Sequence, residues 1–393
     1  MEIGNIFICD YKKLDGITTR VVDEESVYVA SGFCLFYLNS NKELLPIAIQ
    51  LAQRPAQDNP IFLASDSDSD WLLAKMFIKN ADYLEHQGIE HLLKTHMLGE
   101  VFAMATLRNL PSAHPIYKML ISHFRATIHI NNHVRNQLLG PAGALSLSSL
   151  GSEGVLELMR RGLSDLKYSA LCLPDNIIAR GLDTVPNFYY RDDGLKLWTV
   201  LNSFVREMIK QFYLSDQNVA EDKELQDWVK EIFIHGVFGN PFSGFPSTLE
   251  TTNELIKFLT MIIFTVSAQH AAVNNGQFHY QGWIPNSPPL LVKPPPNKKD
   301  KISMESIVEA LPNVGHTAIF TQTAWTMSFN YDDVVPLGLN PDDHFDEVFP
   351  RQIQKDLLNE LHFLGEKISE RNSKLEVPYN YLNPSYVENS ITI

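Results

Sequence analysis

Residues 71–100 read WLLAKMFIKNADYLEHQGIEHLLKTHMLGE. Apolar side chains recur every three or four positions with no proline between them, which predicts a long helix. One feature resists a regular helix: His86, His91 and His96 stand five apart, in a chain with only 13 histidines. At about 100° per residue, positions five apart lie about 140° apart around a regular α-helix. A local π-bulge would turn His91 and His96 toward one face, and such bulges gather at functional sites. Two histidines on a helix are also ordinary surface or core residues, and spacing alone does not decide between the two readings.

Upstream, NIFICDY, VYVASGFCLFYL and LPIAIQLA are short apolar or β-branched runs broken by charged and glycine residues. They predict strands and loops over residues 1–70. From 71 to 393 the chain reads as mainly helical. Pro115 restarts a helix that the pattern carries through ISHFRATIHINNHVRNQLL. PAGALSLSSLGSEG, 141–154, is a small-residue loop. Helices resume at VLELMRRGLSDLKYSALCL, GLKLWTVLNSFVREMIKQFYL and ELQDWVKEIFIHGVF. Thr251 and Glu254 predict a capping box. GWIPNSPPLLVKPPPNKKDK, 282–301, is too proline-rich for a helix and reads as a surface excursion or a linker. Further helices are expected near 303–311 and 341–371. The expected fold is mainly α, with a small β and loop portion near the N-terminus.

The 393 residues are 45% hydrophobic and 20% charged, with a net charge of −14. That balance suits a globular protein with a sizeable core and disfavours nucleic acid, which requires basic patches. Cys9, Cys34 and Cys172 are far apart and odd in number, so neither a disulfide framework nor a CxxC metal site is expected, and a reducing, cytoplasmic compartment fits best. The opening MEIGNIFICD lacks the basic region and long apolar run of a signal peptide. The most apolar run, 255–273, carries Lys257 and His270. Its clean core, 258–268, is too short to span a bilayer and predicts a buried helix.

Two more stretches carry candidate ligands. In SAQHAAVNNGQ, His270 and Asn274 are four apart, on one helical face. His270 follows the apolar run, so it is either a hydrogen-bonded core histidine or a metal ligand. The chain closes on NSITI. An apolar end tucked inward would bury its carboxylate, which then needs a counter-charge or a metal; the alternative is a frayed tail.

WLLAK at 71–75, HQGIEHLLKTH at 86–96, SAQHAAVNNGQ at 267–277 and the closing NSITI together resemble the animal lipoxygenases. GNIFICDYKKLDGI, PIYKMLISHFRATIHINN, FYYRDDGLKLW, GFPSTLETTNELIKFLTMIIFT and GWIPNSPP extend the resemblance, in order and spacing, over essentially the whole chain. The region resembled is the C-terminal part of a catalytic domain, without the N-terminal β-sandwich that binds membranes and calcium or the helices that follow it. The resemblance implies one non-heme iron, Fe²⁺ or Fe³⁺, held by His91, His96, His270, Asn274 and the main-chain carboxylate of Ile393. Gln87 and Gln277 match glutamines that hydrogen-bond around the Asn ligand, while His86 packs or orients nearby.

The implied reaction is insertion of O₂ into a polyunsaturated fatty acid of the arachidonate or linoleate kind after abstraction of a bis-allylic hydrogen. Peripheral membrane contact belongs to the full-length pattern. Leu92, Ile130, Leu138 and Met327 would line the acyl slot, with ordinary core as the alternative for each. His133 and Arg135 are candidates to meet the fatty-acid carboxylate, with a solvated face as the alternative. Val134 departs from the family's Ala or Gly and is expected to alter where oxygen adds. Two other functions stay open: turnover of fatty-acid hydroperoxides at the same iron, and a catalytically silent binding form.

Overall fold

The computed structural model describes residues 4–22, 25–300, 302–329, 334–340, 342 and 344–393. Met1–Ile3 of the opening run, Lys301 at the end of the proline-rich stretch, and Pro341 and Asp343 at the start of the last expected helix lie outside the described residues. The fold is mainly helical with a small antiparallel sheet near the N-terminus, as expected. The chain divides into two compact units. One comprises Met1–Glu90, His133–Gly162 and Gly276–Phe329; the other comprises His91–Asn132, Leu163–Asn275 and Asn330–Ile393.

The first unit carries the strands β1 (Ile6–Asp10), β2 (Val21–Val22), β3 (Glu25–Ser26), β4 (Phe33–Leu38), β5 (Leu44–Gln50) and β6 (Ile61–Leu63). Four form one antiparallel sheet in the order β1-β4-β5-β6, and β2 pairs with β3. The β1–β4 register sets Cys9 directly opposite Cys34.

The first long helix runs Asp68–Glu85 and packs on β5 and β6. Ser67 caps it, its hydroxyl oxygen accepting from Asp70 N at 3.2 Å. Leu73, Phe77, Ala81 and Leu84, at helical spacing, are on its buried side. A small core of Val27, Ala144, Ile284, Leu290 and Phe320 lies in the same unit, with Leu138 and Leu147 packed against it.

The proline-rich stretch is more than a surface excursion. Leu290 and Leu291 are fully buried. Asn80 Nδ2 donates to Pro288 O at 2.8 Å, and Tyr28 N donates to Leu291 O at 3.0 Å. The pattern missed the helix Val314–Met327, which Asn313 caps by accepting from His316 N at 2.9 Å.

The second unit holds the larger core. Its main helices are Leu98–Asn109, Tyr189–Phe212, Lys223–Gly236, Thr252–Phe264 and Val348–Asn372. Trp228 is fully buried in it, with Nε1 donating to Thr106 Oγ1 at 3.1 Å. The predicted capping box is present. Thr251 Oγ1 accepts from Glu254 N at 3.2 Å, while Glu254 Oε2 accepts from Thr251 N at 2.9 Å.

The helix begun at Pro115 stops at Leu120; a tight turn, Ile121–Phe124, intervenes before the next helix at Thr127–Gln137. The apolar helix also proves longer than its clean core predicted. Thr252–Gln281 is a 30-residue helical stretch, broken by a turn at Asn275–Gly276, long and apolar enough to cross a membrane by composition, but 78% of its apolar window is buried. Burial, and not length, argues for a core helix.

The tail does not fray. Val387, Asn389 and Ile391 are buried, and Leu337 N donates to Val387 O at 2.8 Å. Asn389 N donates to Val335 O at 2.8 Å, and Asn389 Oδ1 accepts from Gly338 N at 3.1 Å. The closing residues therefore lie as an extended segment against residues 335–338.

Candidate metal centre

Each histidine is delivered by a distorted helix. His86–Met97 forms a π-helix, and Thr265–Gln269 forms a second π segment immediately before His270. Stepping the hydrogen bonds to the fifth residue brings positions five apart nearly into line. His91 and His96 therefore share a face, the arrangement a π-bulge would give and one that spacing alone left open. The second π segment had no signature in the sequence pattern.

His91, His96 and His270 are 1%, 1% and 2% exposed. Their ring centroids lie 4.9–5.3 Å apart. Nε2 of His91 is 3.2 Å from Nε2 of His96 and 3.4 Å from Nε2 of His270.

The tautomer of His96 is set by its neighbours. Asn131 is fully buried, and its amide nitrogen donates to His96 O at 2.7 Å and to Glu100 Oε2 at 2.8 Å. Its oxygen must then face the ring, where it accepts from His96 Nδ1 at 2.8 Å. With its proton on Nδ1, His96 presents a bare Nε2 lone pair to the other rings. Burial pushes the His96 ring down to about 4, against smaller opposing effects of Asn131 and Glu100. Burial, and then His96, hold His270 well below the ordinary histidine range. These two rings are therefore neutral near pH 7. With the His96 Nε2 lone pair aimed at its neighbours, the three rings form a group that could hold a metal ion.

The remaining candidates divide among the two units. The main chain of Ile393 is in hydrogen-bond contact with the His270 ring. Asn274 is 3% exposed and sits one turn beyond His270. The tail approaches closely because residue 99 is glycine: a Cβ there would stand 2.9 Å from Ile391 Cδ1 and 3.3 Å from Val266 Cγ1. His123 Nδ1 donates to Asn389 O at 2.8 Å and fixes the same segment. All of these residues belong to the second unit.

In the first unit, Gln87 Nε2 donates to Gln277 Oε1 at 2.6 Å and to Gln281 Oε1 at 3.1 Å. The two glutamines named from sequence thus touch each other. His86 Nδ1 lies 3.3 Å from Gln281 Nε2.

Leu92 is 1% exposed and Ile130 half-buried, both in the second unit. Val134 is 7% exposed and Leu138 and Met327 are half-buried, all in the first. His133 and Arg135 are exposed.

A second cluster, His114, Asp222 and Glu224, also has metal-ligand chemistry. Here His114 Nδ1 accepts from Ile116 N at 3.2 Å, so Nε2 carries the proton toward Asp222 Oδ2, also 3.2 Å away. Asp222 itself caps the helix Lys223–Gly236 by accepting from Leu225 N at 3.0 Å. These groups join two helix starts, a structural role.

The lipoxygenase family model matches residues 1–373. The chain belongs to the lipoxygenase family. This lipoxygenase is 44% identical to hydroperoxide isomerase ALOXE3 of Homo sapiens over 394 residues, covering 100% of the chain and 55% of the relative. It is 43% identical to the polyunsaturated fatty acid lipoxygenase ALOX8 of Mus musculus, covering 100% of the chain and 58% of the relative. A lipoxygenase crystallised anaerobically in complex with arachidonate superimposes with a TM-score of 0.96 at 35% identity, covering 100% of this chain and 60% of that one. The chain therefore spans about half the length of the curated relatives it matches.

Sequence reasoning missed Asn131, Glu100, His123 and Gly99. Asn131 and Glu100 are ordinary polar residues on helical segments; only the fold shows that they meet at His96.

Proposed function

We propose that this lipoxygenase is a non-heme iron dioxygenase of polyunsaturated fatty acids. One observation carries the reading: three buried imidazoles, with His91 Nε2 3.2 Å from His96 Nε2 and 3.4 Å from His270 Nε2, in a chain of this family. His91, His96 and His270 would hold the ion with the main-chain carboxylate of Ile393 and the side-chain oxygen of Asn274. Such a borderline-hard nitrogen and oxygen set suits iron better than the closed tetrahedral sites of structural zinc. Iron bound there supplies a one-electron couple matched to removal of a bis-allylic hydrogen.

The chain's own residues do the rest. Two of the imidazoles are kept neutral by burial, leaving the Ile393 carboxylate as the one protein anion among the five ligands. Asn131 fixes the His96 ring. Leu92, Ile130, Val134, Leu138 and Met327 are the proposed apolar contacts of the acyl chain. His133 and Arg135 are the proposed partners of the substrate carboxylate. We place all 393 residues in one iron-binding catalytic region.

A second reading has its own support, the 44% identity to a hydroperoxide isomerase. It keeps the ligands and replaces the substrate with a fatty-acid hydroperoxide. The protein reconstituted with iron separates the two. Oxygen uptake with arachidonate and growth of conjugated-diene absorbance support the dioxygenase. Loss of a hydroperoxide's diene absorbance without oxygen uptake supports the isomerase. Neither activity, with iron bound, leaves a binding role and overturns both.

A further inference from the structure

Cys9 and Cys34 are both thiols, and the β1–β4 register sets them face to face. Directly opposed residues of an antiparallel pair project from the same face of the sheet. Tyr11 N donates to Gly32 O at 3.0 Å and Leu38 N to Asn5 O at 2.9 Å. Hydrogen-bonded pairs alternate along such a ladder, so Cys9 and Cys34, two residues in from Tyr11 and Gly32, form a hydrogen-bonded pair with Cα atoms about 5.5 Å apart. That falls inside the span of about 4.4–6.8 Å that a disulfide bridges.

The two thiols differ in access. Cys9 is exposed on β1, an edge strand of the sheet, whereas Cys34, beside it on β4, is 2% exposed.

We propose that Cys9 and Cys34 are a redox-active pair that closes into a reversible cross-strand disulfide when the protein meets a hydroperoxide. The exposed Cys9 thiolate attacks the peroxide. An S–O bond forms, the O–O bond breaks, and an alcohol leaves (water, for hydrogen peroxide), giving a sulfenic acid at Cys9. Cys34 then attacks that sulfur; the S–S bond forms, the S–O bond breaks, and water leaves. Two thiols are oxidised by two electrons and one hydroperoxide is reduced by two.

Burial, and secondly the nearby Cys9, push the Cys34 thiol up to about 12. It is therefore a slow nucleophile toward free reagents, and its attack on Cys9 depends on its fixed position. Opposed Cβ atoms stand about 4.5–5.5 Å apart in such ladders, whereas a disulfide prefers about 3.8 Å. The strands must tighten, and a strained bridge is easily reduced again. A hydroperoxide is the product class of the proposed dioxygenase and the substrate class of the isomerase reading, but the pair's chemistry requires neither, since the oxidant can be supplied.

The test treats the full chain with a fatty-acid hydroperoxide, and in parallel with hydrogen peroxide, each with and without an iron chelator. We expect thiols titrated in denaturant to fall from three to one. Intact mass should drop by two hydrogens, a peptide linking Cys9 to Cys34 should appear, and dithiothreitol should reverse all three changes. Cys9→Ser and Cys34→Ser should abolish the linked peptide, and Cys172→Ser should keep it. Three surviving thiols, a sulfinic acid at Cys9 with Cys34 still reduced, or a disulfide only between Cys9 residues of two chains would each overturn the proposal.

Discussion

Replacing Asn131 with alanine removes a side chain that is fully buried and makes three hydrogen bonds of 2.7–2.8 Å. The substitution strands the Nδ1 proton of His96 and withdraws donors from His96 O and Glu100. A buried polar group left without its partner costs about 1–3 kcal/mol, so a loss of about 2–5 kcal/mol in folding stability is expected for the set. The effect on metal binding is separate. Without Asn131 the ring is free to rotate or to carry its proton on Nε2, which removes the lone pair a ligand requires. Loss of such a partner typically weakens metal affinity about 10–100-fold, or about 1.4–2.8 kcal/mol.

Asn131→Asp separates the two effects. It keeps an acceptor for Nδ1 but turns a carboxylate toward Glu100, so folding should weaken while ferrous affinity holds or rises. The assay is anaerobic competition for Fe²⁺ against a chelator of known strength, with circular dichroism confirming that each variant is folded. A folded Asn131→Ala variant that binds iron as tightly as the parent would refute the reasoning.

Gly99→Val places methyl groups where even a Cβ would stand 2.9 Å from Ile391 Cδ1; it should displace the closing segment and lower ferrous affinity with the helical content unchanged, read by the same competition. His123 is held down to about 4 by burial, against the pull of its bond to Asn389 O. Because the unfolded chain binds its proton near pH 6.5 and the folded chain only near 4, the stability from neutral His123 is full above about 6.5 and lost as pH falls toward 4. Urea titrations across that range should show His123→Gln escaping about 3 kcal/mol of acid destabilisation, whereas parallel pH profiles for variant and parent would count against the assignment. Val134→Ala, at a 7% exposed position, should change the distribution of oxygenated products on chromatography; identical products would remove Val134 from the substrate path.

The features legible in the sequence were those with local causes. The Thr251–Glu254 capping box, the stop and start at Pro115 and the buried faces of the long helices each follow from residues a turn or two apart. The five-residue spacing of His91 and His96 allowed a widened helix without deciding for one, and the π-helix His86–Met97 supplies it. The π segment Thr265–Gln269 was invisible because a single histidine sets no spacing to violate.

The helix Val314–Met327 escaped because VGHTAIFTQTAWTM mixes β-branched and polar residues without a clear apolar stripe. The split near Ile121 escaped because ISHF keeps the same apolar rhythm through the turn. Contacts between distant segments were out of reach altogether. Asn131 meets His96 across 35 residues, and Cys9 meets Cys34 only through strand register. What local pattern supplied was a candidate ligand list; what the fold added was the set of partners that fix those ligands.

The most direct test is the iron stoichiometry of the purified protein after anaerobic loading, compared with His270→Ala. One tightly held iron per chain, lost when that single imidazole is removed, is the predicted result. A parent chain that retains no iron, or a variant that retains it undiminished, would contradict the metal centre itself.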